Sequence, residues 1–185
     1  MYKRQVFLVA IGLFSLLSCG EEALPKPKAM LRLEYPGKEL RPLETPCPYT
    51  FEYNSLAVIQ KKDSCNLDLD FPRMKGAIYI TYKPVEGNLK ELLTDAQKLS
   101  YEHVVKADNI TEQPFVNAAD DVYGMFYEVK GNAASQAQFY VTDSTRHFVT
   151  GSLYFYARPN YDSIYPAAVY LQKDIRTIME TMRWK

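Results

Sequence analysis

Histidine, tryptophan and cysteine are scarce in these 185 residues: 2 His, 1 Trp and 3 Cys. Two histidines without a His-Glu-x-x-His run do not make a hydrolytic metal centre. No Cys-x-x-Cys occurs, and isolated thiols do not fill a zinc shell. A Gly-x-Ser-x-Gly elbow, which would expose a nucleophilic serine, is also missing. Neither charge is in excess, with 22 basic and 22 acidic residues. Such a chain has no electrostatic footprint for nucleic acid. Nor does it have a polybasic stripe to hold it on anionic lipid. The apolar run at residues 6–17 is shorter than the roughly 20 residues of a membrane-spanning helix. These absences point away from an enzyme, a bound metal or cofactor, and a nucleic-acid partner.

That short run is nevertheless the most informative stretch present. Lys3 and Arg4 precede it, and it closes on Leu16-Leu17-Ser18-Cys19. Basic residues, a short apolar core and small residues in that order form a secretory signal. The closing tetrad looks like a bacterial lipobox, whose cysteine becomes the first mature residue and carries fatty-acyl chains such as palmitate. The alternative is a plain signal peptide with a chance cysteine. The chain therefore divides into a lipoprotein signal peptide (1–18), a lipidated N-terminus with a Pro/Lys tether (19–29) and a single domain (30–185). Cys19 is the lipidation site, and its acyl chains are the link to the membrane. Pro25 and Pro27 stiffen the tether toward polyproline II, enough to hold the domain roughly 20–30 Å off the membrane surface. Removing the signal takes away two basic residues and no acidic one, leaving 20 against 22, a net of −2. The expected location is the periplasmic side of the cell envelope, with inner and outer membrane both open.

Cys47 and Cys65 then remain in an oxidising compartment, where an even pair reads as a disulfide. Two buried free thiols, or part of a metal site, are the alternatives.

Hydrophobic residues make up 47% of the chain, with 15 Tyr and 9 Phe, a composition that favours strands. Alternation predicts strands over 30–35, 49–53, 56–59, 65–71 and 77–82. Leu89, Leu92, Leu93, Ala96, Leu99 and Val104 form one helical stripe, predicting a helix from Asn88 to about Lys106 with Glu91 at the capping-box position. Residues 108–120 read as irregular. Strands follow at 122–129, 136–142 and 147–157. A last helix is predicted over about 163–183, with Pro166 in its first turn and Trp184 pinning its end. The order strands, helix, strands, helix predicts an α+β domain: an antiparallel sheet flanked by two main helices. It resembles the PsbP/Mog1-like α/β/α sandwich, a likeness that carries no function.

Candidate chemistry is thin. Ser135 reads as a turn residue, His103 as a packed helix residue and His147 as a surface residue. The pairs Asp68/Asp70 and Asp120/Asp121 read as solvated edges. The remaining feature is a tyrosine face. Residues 136–142 and 147–157 put Phe and aliphatic residues on one side of the sheet and Tyr and Thr on the other. Either the first helix covers that second side, or Tyr140, Tyr154 and Tyr156 form a platform for a protein partner.

Several stretches together carry a family resemblance. They are Leu24-Pro25-Lys26-Pro27-Lys28, Cys47-Pro48-Tyr49-Thr50-Phe51-Glu52-Tyr53, Asp70-Phe71-Pro72 and Lys75-Gly76. Further on come Gly131-Asn132-Ala133-Ala134-Ser135, Gln138-Phe139-Tyr140-Val141-Thr142-Asp143-Ser144, Arg158-Pro159-Asn160 and Trp184-Lys185. The chain resembles the GldD gliding-motility lipoproteins of Bacteroidetes-type bacteria over nearly all of its mature length. That resemblance implies a membrane lipoprotein of the gliding apparatus, linked to type IX secretion, with protein components of that apparatus as partners. It implies no catalytic residues. The competing expectation is a periplasmic lipoprotein that binds a small ligand or an envelope polymer.

Overall fold

Alternating side chains along the strands build one sheet with two chemically different faces. The computed structural model describes residues 35–102, 107–156 and 160–185, all within one unit, Leu31–Lys185. In chain order the elements are β1 (Leu40–Pro42), β2 (Tyr49–Thr50), β3 (Glu52–Asn54), β4 (Val58–Lys61), β5 (Leu67–Phe71), β6 (Gly76–Pro84) and α1 (Leu89–Tyr101). Then come β7 (Ala107–Asn117), β8 (Val122–Gly131), β9 (Ser135–Thr142), β10 (His147–Phe155), α2 (Tyr161–Thr181) and β11 (Arg183–Trp184). Seven strands pair antiparallel in the order β4-β5-β6-β10-β9-β8-β7. β1 with β3, and β2 with β11, form two small ribbons. The architecture is α+β, an antiparallel sheet with two helices, as the element order predicts.

Residues paired across an antiparallel ladder share a face, so the register sets the layers. Leu69, Ile78, Leu153 and Ala137 form one cross-strand row, and Leu67, Ile80, Gly151, Phe139 and Phe126 the next. Leu171, Ile175 and Ile178 of α2 close over this face in the main core. Each such fully buried aliphatic side chain contributes about 2 kcal/mol. Phe139 lies flat over Gly151, where an added Cβ would sit 2.1 Å from the ring. Leu92 and Ala96 of α1 pack on Phe148 from the opposite face, in a smaller cluster with Tyr140.

Cys47 and Cys65 are bonded, with Cα atoms 5.5 Å apart, tying the approach to β2 to the start of β5. Tyr49 reinforces the tie, its hydroxyl donating to the Cys65 carbonyl at 2.6 Å.

Three local expectations need correction. Residues 108–120 are mostly strand: β7 pairs along β8 as a sheet edge, where Pro114 is tolerated because the missing N–H need not serve an inner ladder. Pro166 lies inside α2, past its first turn. Asn88 caps α1 by position only. Its side-chain oxygen accepts the Glu86 N–H at 2.9 Å, so no capping box forms. Trp184 pins the chain just past the last helix, as expected, by pairing with Tyr49 as β11. Tyr35 is not in a strand, and the remainder of the strand expected over 30–35 lies outside the described residues, as do His103 and the end of the first helix expected near Lys106.

Candidate interaction site

On the tyrosine face, β9 presents Gln138 and Tyr140, and β10 presents Phe148, Thr150, Ser152 and Tyr154. α1 covers the β9 side of this surface. Ser100 Oγ donates to Gln138 Oε1 at 3.0 Å, and Tyr140 stacks on Phe148 with ring centroids 5.6 Å apart. Tyr101, at the end of α1, bonds Glu112 on β7. Tyr140 therefore packs beside the helix, and burial pushes its phenol pKa up, with the Glu112 charge adding to the shift.

The β5–β6–β10 side of the same face carries a second group of tyrosines. Tyr79 meets Tyr154 edge-on at 5.8 Å, and the Tyr156 hydroxyl donates to Asp70 Oδ1 at 3.2 Å. Tyr156 is 58% exposed. Its pKa is raised, first by its hydrogen bond with Tyr79, then by burial and by Asp70. The Tyr154 and Tyr156 phenols stay protonated, and the group offers apolar ring area with hydroxyls at the tips. Val58, paired with Asp70 on the edge, extends the patch. Of the three tyrosines singled out from the sequence, Tyr156 lies in the exposed patch, Tyr154 is half-buried at its margin, and Tyr140 sits apart against α1.

A different feature occupies the other end of β10. The β7–β8 turn brings Asp120 and Asp121, the β9–β10 turn Asp143, Thr145 and Arg146, and β11 Arg183 and Trp184, around a polar cleft of about 460 Å³. Asp143 Oδ1 accepts the backbone N–H groups of Thr145, Arg146 and His147 at 2.8–3.0 Å. Burial alone would raise its pKa, but these N–H groups and the Thr145 hydroxyl overcome that and hold the carboxyl below its ordinary value. Asp120 meets Arg183 Nε at 2.8 Å. Trp184 Nε1 donates to the Asp121 carbonyl at 3.0 Å. The indole stacks on His147 at 5.2 Å.

His147 is only 8% exposed, contrary to the surface role read from the sequence. The chain end folding back over it is the reason, a long-range contact that local alternation does not encode. Its Nδ1 lies 3.1 Å from the Tyr82 hydroxyl. Burial pushes its pKa below 6.5, against the pull of Asp143, while Arg146 pushes the same way as burial. Asp120 and Asp121 likewise belong to this cleft rather than to a bare edge. The sequence signals were present, in the Asp143-Ser144-Thr145-Arg146 turn and the lone tryptophan, but only the fold brings them together. Ser135 fulfils its structural role, its Oγ donating to the Ala137 carbonyl at 3.1 Å. Cys19 and the segments 1–18 and 19–29 lie outside the described residues.

Fold and surface together define a disulfide-tied α+β domain with phenol rings exposed at one end and ion pairs around an indole at the other. Its family follows from comparison: the family model for the gliding motility lipoprotein GldD matches residues 20–184, and the chain belongs to that family. It is thus a gliding-motility-related lipoprotein, of a kind anchored to the cell envelope. No curated relative matches the sequence. Among the described residues, no helix is long and apolar enough to cross a membrane.

Proposed function

We propose that this protein is a lipid-anchored, non-enzymatic interaction component of the gliding apparatus, linked to type IX secretion. The observation that carries the reading is the family match over residues 20–184, beginning directly after the lipobox cysteine. In this reading Cys19 is acylated after the signal peptide is removed. More than one acyl chain makes such anchoring stable. The tether at 19–29 then presents the domain on the periplasmic side of the envelope. Contact with a protein component of the apparatus is made through the tyrosine face, centred on the exposed Tyr156, with Tyr79 beside it, Tyr154 half-buried at its margin and Tyr140 further off against α1. Such a patch combines ring area, low conformational-entropy cost and hydroxyl donors, as interfaces favour.

Two experiments test this. Cys19→Ser should abolish palmitate incorporation and release the protein from the detergent-requiring fraction. Unchanged fractionation together with unlabelled parent protein ends the anchoring claim. A photo-crosslinking amino acid at Tyr156, in the native host, should capture a protein whose loss also stops gliding. Normal gliding and secretion in a deletion strain would refute the role itself.

A further inference from the structure

We infer that the cleft between the β7–β8 turn, the β9–β10 turn and β11 is a binding site for a neutral sugar residue of a glycan. The inference is independent of the partner contact above, because the cleft and Tyr156 lie at opposite ends of β10. That strand has nine residues, roughly 25–30 Å of extended chain.

The first argument is size and polarity. At about 460 Å³ the cleft falls in the range that encloses small ligands. Its walls are carboxylate, guanidinium and hydroxyl groups, with Trp184 as the one aromatic surface. Such walls suit a ligand that is polar over most of its surface and apolar on one side.

The second argument is charge. Three carboxylates, Asp120, Asp121 and Asp143, face two guanidiniums, Arg146 and Arg183, a net of −1 that does not favour a phosphate. Two of the three carboxylates are already engaged and not poised for a metal ion either. Asp120 is held by Arg183, Asp143 is saturated with N–H donors, and Arg146 Nε approaches Asp143 Oδ2 at 3.9 Å. The Asp121 carboxylate and the exposed Arg146 guanidinium, an acceptor and a donor that both line the cleft, match vicinal hydroxyls, each of which donates to one group and accepts from another. Hydrogen bonds to such charged groups are stronger than neutral ones.

The third argument is the indole. His147 takes one face of Trp184, and Asp121 fixes its N–H edge, so the ring is set before any ligand arrives. Trp184 lines the cleft while packing against the main core, and so offers it a rigid apolar surface for the C–H side of a pyranose. Arg146, with its side chain 75% exposed and its Nε only as near as 3.9 Å to Asp143, stands at the rim, where it can turn onto a bound hydroxyl.

The chain has 1 Trp, so its fluorescence reports this site alone. The test uses the full-length protein in a sugar-free detergent. It is titrated with neutral oligosaccharides of glucose, galactose, mannose and N-acetylglucosamine, and in parallel with inorganic phosphate and triglycine. At least one glycan should shift Trp184 emission with a Kd of about 1 mM or tighter. Arg146→Ala, an exposed change that leaves the fold intact, should weaken glycan binding read by Trp184 emission, and Trp184→Phe, which keeps a ring but removes the emission, should weaken it when read by titration calorimetry. The Arg146 variant should lose about tenfold in affinity. A response to phosphate or triglycine but to no glycan overturns the inference. So does the absence of any response, or glycan binding that survives Arg146→Ala unchanged. Loss of crosslinking at Tyr156 leaves this result untouched, and the reverse also holds.

Discussion

Lys38 Nζ lies 2.5 Å from Asp174 Oδ1, and that carboxylate, on α2, has a side chain only 3% exposed. Asn54 Nδ2 donates to the other carboxylate oxygen at 3.0 Å and to the Tyr170 hydroxyl at 2.9 Å. Tyr35 stacks on Tyr170 with centroids 4.8 Å apart. The segment entering the domain is thereby clamped to α2 by a buried ion pair and an aromatic stack. Burial pushes the Asp174 pKa up, while the Lys38 and Asn54 contacts pull it back.

Removing one partner of such a pair costs more than removing both, because the survivor is a buried unpaired charge. Lys38→Met should lose about 3 kcal/mol. The double variant Lys38→Met with Asp174→Asn should return to within about 1 kcal/mol of the parent. Urea unfolding midpoints measure both. An acid whose folded pKa is raised binds protons more readily folded than unfolded, so its effect on stability improves as pH falls through the raised value. Lys38→Met should therefore regain stability on acidification from neutral pH, and an equal loss at every pH would contradict this account.

The Cys47–Cys65 bond spans a sequence separation of 18. A loop of that size gives about 3 kcal/mol in the chain-entropy model. For a domain of this length that corresponds to roughly 6–12 °C in Tm. Heating with and without reductant measures it. The serine double variant should match the reduced protein and be insensitive to reductant.

Gly151 faces Phe139 across the β9–β10 ladder. Strand propensity favours replacing a glycine, by less than about 1 kcal/mol. Overpacking costs about 1–3 kcal/mol, and an added Cβ here meets Phe139 Cε1 at 2.1 Å and Cζ at 2.6 Å. The steric term therefore wins. Gly151→Ala should destabilise by about 2 kcal/mol, and combining it with Phe139→Leu should recover part of the loss. Additivity of the two changes would show that the ring is not the obstacle.

Local pattern carried most of the scaffold into view. Leu67, Leu69 and Phe71 against Asp68 and Asp70 mark β5, and Leu92 with Ala96 marks the buried stripe of α1, because burial on one side leaves a period in the chain. Residues 108–120 hid their strand because an edge pairs on one side only. Its exposed positions hold Glu112, Pro114 and Val116, and no apolar period survives. The recognition surfaces were half legible. Tyr154 and Tyr156 stand out by alternation along β10 and the residue just past it. The cleft does not, since Asp120, Asp143 and Arg183 are distant in sequence and only the return of β11 to β2 assembles them. His147 was misplaced for the same reason.

His147 and Trp184 make the acid response of the domain separable into parts. An imidazole with a folded pKa below its unfolded 6.5 binds its proton more readily in the unfolded chain. Its contribution to stability is therefore complete above pH 6.5 and is lost as pH falls from there through the folded value. The groups that act on this ring are the Asp143 carboxylate, the Arg146 guanidinium and the Tyr82 hydroxyl, with Trp184 stacked on it. Asp143 also has a lowered pKa, so its loss has the same sign, but its window begins only below 3.8. Asp174 acts in the opposite sense and is common to parent and variant. The difference between parent and His147→Phe therefore isolates the imidazole. Denaturant midpoints followed through Trp184 emission should fall between pH 7 and pH 5 in the parent. In His147→Phe that fall should shrink, while the acid limb below pH 4 stays. Parallel curves for the two proteins between pH 7 and pH 5 would mean that the ring is not held neutral by its burial.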